Sequence, residues 1–368
     1  MTSADPGALV STTDLVVVAI NSRIGLWGGL HLGTYEDSDP ARTNLQLSDH
    51  LLALAWIHNN IAQFGGNPSN ITIAGNSSGA RNILALLAAS PASTHFSKAI
   101  VMSSGSPRTQ TAAQARAVIA RFAHLLDPIG HTDRLLQASN RLLRQIHAEL
   151  SRESPVNYDP VLDGTILPDN ETALWANITT SGKPLLITLT SGEGDFFKQF
   201  GTESVWRRLE RLHRDQGRPV DASNPLDDAC DIDSACHILA RELFIKPAMA
   251  LAAETSRHGT SVSVAIYDNV AAEHLDLGLT RAAHGSDLRA FFHGAHGFAD
   301  STDQRIAQDW QRLVTTFCTT GTPTTNGAVG DIPPHTLATT ACAVIGKNAR
   351  LTTAEDLITS TTATGRAS

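Results

Sequence analysis

The chain has 368 residues, is 42% hydrophobic and carries a formal charge of −8. That is enough chain for a large buried core, and its acidic balance gives no footing for nucleic acid or an anionic membrane surface. No apolar run reaches the length of a membrane span. The opening residues, Met1 to Gly7, have neither the basic start nor the apolar centre of a secretory leader. The expectation is a cytoplasmic chain, with export as the alternative if a leader precedes it.

Asp14 to Asn21 (DLVVVAIN) is a nearly unbroken apolar run, which predicts a strand buried on both faces of a mostly parallel sheet. Ser22 to Asp39 is Gly-rich and irregular. Leu47 to Phe64 carries Leu51, Leu54, Ala55, Ile57 and Ile61 at helical spacing and is stopped by Gly65-Gly66-Asn67-Pro68. A short β-branched strand, Ile71 to Ala74, then runs into Gly75-Asn76-Ser77-Ser78-Gly79 and an apolar helix over Arg81 to Ala89. This is G-x-S-x-G between a strand and a helix, the context of a nucleophile elbow. A serine on such a turn exposes its Oγ, and residues without bulk are expected on either side, at Gly75 and Gly79. The following helix points its positive end at the turn, which favours a developing oxyanion. Chance occurrence of five such residues is the bland alternative; the flanking strand and helix argue against it.

Phe96 to Ser103 predicts the next buried strand, closed by Ser104-Gly105-Ser106-Pro107, and the strand-helix-strand alternation indicates an α/β sheet. Thr111 to Leu150 reads as helical with a break near Asp127-Pro128-Ile129-Gly130, its apolar face carrying Leu135, Leu142, Leu143 and Ile146. Leu185 to Thr190 is a strand ending at Ser191-Gly192-Glu193-Gly194-Asp195. Trp206 to Gly217 is a charged amphipathic helix. Ala235 to Ala253 is helical with an interruption expected at Pro247. Ser261 to Tyr267 is a late strand, and Gln304 to Phe317 a helix ended by Gly321. The tail after Thr352 is rich in Thr, Ala and Ser and is expected to be poorly ordered.

At this point several segments in register resemble the type-B carboxylesterases, the cholinesterase-like members of the α/β-hydrolase fold. They are Asn21-Ser22-Arg23-Ile24-Gly25, Asn44 to Asp49, Ala53 to Trp56, Phe64 to Pro68, the elbow, Ser104-Gly105-Ser106, the turn-rich Asn157 to Pro168, and Phe317 to Pro323. The resemblance covers most of residues 10 to 325. It implies one α/β-hydrolase domain with a mostly parallel central sheet, helices on both faces and a helical cap that includes residues 111–150. It also implies a structural ion pair between Arg23 and Asp49; the alternative is two exposed charges. Asn76 stands where the family usually has Glu, and Ser78 where it usually has Ala.

Two later segments complete the resemblance. Ser191 to Phe197 is similar to the family's strand end Asp-Glu-Gly, where the Glu is the triad acid; Glu193 matches it, Gly192 replaces the usual Asp, and Asp195 is the rival acid two residues on. His284-Gly285-Ser286-Asp287-Leu288 resembles the family's His-Gly-x-Glu-Leu, which carries the triad base, and Phe292 falls where the family has its own Phe. The order Ser77, Glu193, His284 is the Ser…Asp/Glu…His order of α/β-hydrolases. The implied chemistry is hydrolysis of small-molecule carboxylic esters through an acyl-enzyme, with the backbone N–H of Ser78 as one oxyanion donor and with neither metal nor cofactor. His293 and His296 with His284 are weak as a metal site, because no acidic or thiol partner is fixed by spacing, and they are read as loop histidines. Cys230 and Cys236 allow a small disulfide loop on export or remain free thiols.

The resemblance also implies a strand ending in His-Gly-Gly-Gly ahead of Asp14, lying inside the sheet between residues 14–21 and 71–74. No His-Gly-Gly occurs in the 368 residues. The expectation is therefore a hydrolase domain lacking its N-terminal strands and part of its oxyanion hole. Its alternative reading is a catalytically silent cholinesterase-like protein or enzyme fragment.

Overall fold

A computed structural model describes residues 5–34, 42–89, 94–126, 138–153, 156–215, 231–275, 280–327, 329–336 and 338–360. Its centre is a six-stranded sheet, β1 (Thr72–Asn76), β2 (Lys98–Met102), β3 (Leu185–Thr190), β4 (Val262–Asp268), β5 (Ala341–Gly346) and β6 (Arg350–Thr353), in that spatial order. The first five are parallel and β6 returns antiparallel along β5. Parallel strands need crossover connections, and helices supply them on both faces. The pleat sorts the two faces cleanly. Ala99 and Val101 of β2 join one core with Ile187 and Leu189 of β3, while Ile100 and Met102 join the other with Leu186.

On the first face lie the helices Leu45–Asn60, Ser78–Ala88, Glu171–Thr179, Ile232–Ala240 and Lys246–Arg257. The second face is covered by Asp287–His293 and Ser301–Thr320, whose Trp310 and Phe317 are fully buried. The helices Ala112–Leu126 and Asn140–Glu153 pack on each other around a small separate core of Ile119, Phe122, Leu143, Ile146 and Leu150, joined by Leu26 and Leu30. The break expected between them, at residues 127–130, lies outside the described residues.

Two expectations need correction and one holds. Asp14 to Asn21 forms no strand: it is irregular, with Val16, Val18 and Ile20 each more than 40% exposed and Leu15 and Val17 packed against the core around Trp310. An apolar run becomes a strand only where a neighbour pairs with it, and among the described residues none does. β1 is correspondingly an edge strand, with Ala74 exposed at its middle. The interruption expected at Pro247 is present: the run divides into two α-helices, Ile232–Ala240 and Lys246–Arg257, with a widened π turn at Arg241–Ile245 directly before the proline's helix. Finally, the chain after Thr352 stays ordered through a helix at Ala354–Ser360; residues 361–368 lie outside the described residues.

The ion pair implied for Arg23 is present. Its Nε and Nη2 donate to Asp49 Oδ2 and Oδ1 at 2.9 and 2.5 Å, and its backbone N–H donates to Oδ2 at 2.9 Å. The guanidinium holds the Asp49 carboxyl below the usual carboxylate range. Asn44, in the left-handed region at φ 53°, bonds the backbone of Val161 both ways at 2.8 Å and donates to Asp163. This clips the start of the Leu45–Asn60 helix to the segment Asn157–Pro168. Cys236 is a buried free thiol; Cys230 lies outside the described residues.

Candidate active site

β1 ends in the turn that carries Ser77, and the helix Ser78–Ala88 begins at the next residue. Ser77 has φ 56° and ψ −115°, a conformation that L-residues adopt only when their surroundings enforce it. Ser78 is the first residue of the helix, so its N–H has no intrahelical acceptor and points out of the helix N-terminus. The close approach expected of both elbow glycines holds at one of them. A Cβ on Gly75 would lie 2.5 Å from the carbonyl carbon of Gly79, whereas a Cβ on Gly79 would meet open space.

Glu193 follows β3 and is completely buried. Its Oε1 accepts the Thr190 N–H at 2.8 Å, and its Oε2 pairs with Nδ1 of His284. The base therefore has its Nδ1 committed to a carboxylate, which leaves Nε2 as the nitrogen able to take a proton. Its loop is tied to the Glu193 loop by Gly192 N–H to Ala282 O at 2.8 Å and Ala282 N–H to Ser191 Oγ at 3.2 Å. The elbow abuts the same loop: Oδ1 of Asn76 lies 4.0 Å from where a Cβ on Gly285 would stand. Among the described residues no hydrogen bond joins Ser77 Oγ to the imidazole. Such contacts are often loose before substrate is bound.

The rival acid Asp195 is engaged elsewhere. Arg281 grips it with two hydrogen bonds, at 3.0 and 2.8 Å, and Lys198 adds an ion pair at 2.9 Å. Asn76, in place of the family's Glu, leaves its Nδ2 buried without a hydrogen-bond partner. His293 ends a helix and His296 lies in the turn after it. Among the described residues no group of three or more His, Cys, Asp or Glu is arranged to hold a metal.

Sequence reasoning missed three contributors. Phe196 and Phe244 place their rings 4.8 and 5.3 Å from the His284 imidazole and pack against it. Phe244 sits on the π turn, whose extra residue per turn no periodicity argument anticipates. Asp287, fully buried three residues after the base, has both carboxylate oxygens without a hydrogen-bond partner. Burial, reinforced by the charge of Glu193, pushes its pKa up to about 7. A cavity of about 220 Å³ runs along residues 281–286 beside Asn269 and does not extend to Ser77.

A mostly parallel sheet, a strand-turn-helix serine, and a carboxylate–imidazole pair on the loops after β3 and β4 define an α/β-hydrolase. The comparison with known families goes one step further. The model of the Carboxylesterase family matches residues 1–357, and the chain belongs to that family. It is similar to the para-nitrobenzyl esterase of Bacillus subtilis (strain 168), 32% identical over 339 residues that cover 87% of this chain and 67% of that one. It is also similar to the acetylcholinesterase of Bungarus fasciatus, 30% identical over 215 residues, 55% of this chain and 35% of that one. Among solved structures, the carboxylesterase EST55 of Geobacillus stearothermophilus superposes with a TM-score of 0.79 at 28% identity, covering 95% of this chain and 76% of that one. Family and relatives together support carboxylic ester hydrolysis as the general chemistry. No helix of the described residues is long and apolar enough to cross a membrane.

Proposed function

We propose that the chain is a serine carboxylesterase for small carboxylic esters, with Ser77 as nucleophile, His284 as base and Glu193 as orienting acid. The observation that carries this is the buried Glu193–His284 pair on a loop that the elbow abuts, with Ser77 held at positive φ on that elbow. In this reading Ser77 Oγ attacks the ester carbonyl while Nε2 of His284 takes its proton. Glu193 fixes the tautomer and stabilises the imidazolium. The proton passes to the departing alcohol, an acyl-enzyme remains, and water attacks it with His284 again as base. The Ser78 N–H at the helix N-terminus binds the oxyanion.

The alternative reading is a catalytically silent cholinesterase-like protein; the Ser78 N–H is one oxyanion donor, and loss of a donor costs on the order of 10²–10³ in turnover. Hydrolysis of a short-chain p-nitrophenyl ester by this chain, measured beside Ser77→Ala, separates the two. Turnover well above the variant supports the esterase with its elbow working. Equal inactivity in two folded proteins moves the reading to a non-catalytic relative.

A further inference from the structure

We propose that the Arg281–Asp195 pair is a positioning clamp that sets the register between the loop carrying Glu193 and the loop carrying His284. The inference rests on the esterase reading for its importance to the reaction, but its geometry stands apart from it. Asp195 lies two residues after the acid and Arg281 three residues before the base. The guanidinium meets the carboxylate through Nε and Nη2, a planar two-point contact that fixes orientation as well as distance. Both partners are largely buried, with side-chain exposures of 19% for Arg281 and 7% for Asp195. Neither touches the reacting atoms.

The surroundings are built for this pair. Lys198 pairs with Asp195 Oδ1, the oxygen that also accepts Nη2 of Arg281, and with Asp233 on the helix Ile232–Ala240, so the clamp is anchored to the body of the fold. His237 of the same helix lies against Nη1 of Arg281, and burial together with the Arg281 charge pushes its pKa down, which keeps it a neutral acceptor. Two positive and two negative side chains balance within the cluster.

Gly192 supplies the strongest support. The resemblance implies Asp there, yet a Cβ at this position would stand 2.9 Å from each of three atoms: the Cβ of Arg281, Oδ2 of Asp195 and the carbonyl oxygen of Ala282. The clamp occupies the space that a side chain at 192 would need. The glycine also lets the two backbones come together at the Gly192–Ala283 bridge. The departure at 192 and the pair 195/281 are one arrangement seen at three positions.

The test compares wild type with Arg281→Met, Arg281→Lys and Gly192→Ala, with Ser77→Ala as a control. The deciding readout is the far-downfield proton resonance of the imidazole N–H shared between His284 and Glu193, followed alongside thermal unfolding. The clamp predicts a sharp resonance in wild type and in Ser77→Ala, its loss or broadening in folded Arg281→Met and Gly192→Ala, and partial recovery in Arg281→Lys. Turnover should fall about 10- to 100-fold in Arg281→Met with KM held within about twofold, the signature of a misplaced base rather than lost binding. A resonance that stays sharp in a folded Arg281→Met protein overturns the proposal, as does its absence from wild type. If wild type proves no more active than Ser77→Ala, the esterase reading fails, and the resonance still decides the clamp.

Discussion

The backbone N–H of Ser77 donates to the carbonyl of Met102 at 2.9 Å, so the nucleophile turn is seated on the end of the neighbouring strand. Ser103, the next residue of that strand's exit, repeats the device: it too has positive φ, 55°, and donates to Thr188 O at 2.7 Å. A non-glycine residue in this region is strained by about 1–3 kcal/mol. Bonds from one strand end to the next are what hold it there.

The elbow glycines should then differ sharply on substitution. Gly75→Ala drives a methyl into the backbone of Gly79 and is expected to destabilise the fold by about 1–3 kcal/mol, more if the turn cannot shift. Gly79→Ala meets nothing and sits in a helix, so it should be neutral or stabilising by up to about 1 kcal/mol. Urea unfolding of the two variants checks this; equal losses would show that the close approach is not one-sided.

Glu193 and Asp195 should separate just as clearly. Glu193→Gln keeps the acceptor for Thr190 N–H but removes the charge that orients the imidazole, and turnover should fall about 10³- to 10⁴-fold. Asp195→Asn disturbs only the clamp and should cost no more than about 10- to 100-fold. Turnover of a p-nitrophenyl ester by both variants reads the difference. The reverse ranking would make Asp195 the acid.

How far the sequence shows this site depends on which interactions are local. Strands β2 to β4 are legible because burial on both faces leaves continuous apolar runs, and β1 because its β-branched residues run straight into the elbow motif. The same pattern misleads at Val16–Val18, because a run cannot report whether a neighbour lies alongside. β5, with Ala341, Cys342 and Ala343 in place of large β-branched residues, goes unread. The triad residues stand in motifs a few residues long. The Arg281–Asp195 grip spans 86 positions and Phe244 reaches His284 from a π turn, so neither leaves a local mark.

Asp287 gives a pH dependence of definite sign. Its folded pKa, about 7, lies above the unfolded carboxyl value near 3.8. Between those values the folded state holds a proton that the unfolded state has released, so stability falls as pH rises from about 4 to about 7 and the penalty is complete above that. A shift of this size corresponds to a penalty on the order of 4 kcal/mol. Asp287→Asn cannot ionise and should be more stable than wild type at pH 8, with the advantage shrinking towards pH 4. Titrating groups away from the site, such as the buried His31 whose pKa falls to about 4, are common to both proteins and cancel in the difference, whereas Glu193 and His284, which interact electrostatically with Asp287, do not. Denaturation midpoints at several pH values supply it; a difference that does not change with pH would mean Asp287 ionises freely in the fold.

Among the described residues nothing pairs with the outer edge of β1 or with residues 14–21, and that surface should dominate the solution behaviour of this chain. Val16, Val18 and Ile20 are each more than 40% exposed, and Leu52, Trp56 and Phe64 are more than half exposed. Exposed apolar side chains and an unprotected strand edge favour association, because the edge offers unpaired backbone groups to another strand. The chain should bind a hydrophobic dye in its native state and sediment as concentration-dependent oligomers. Val16→Lys with Val18→Lys puts charge on exposed positions without touching the cores that hold Leu15 and Val17. The double variant should reduce both dye binding and association while leaving thermal unfolding within a few degrees of wild type. Unchanged association would place the contact elsewhere than along residues 14–21.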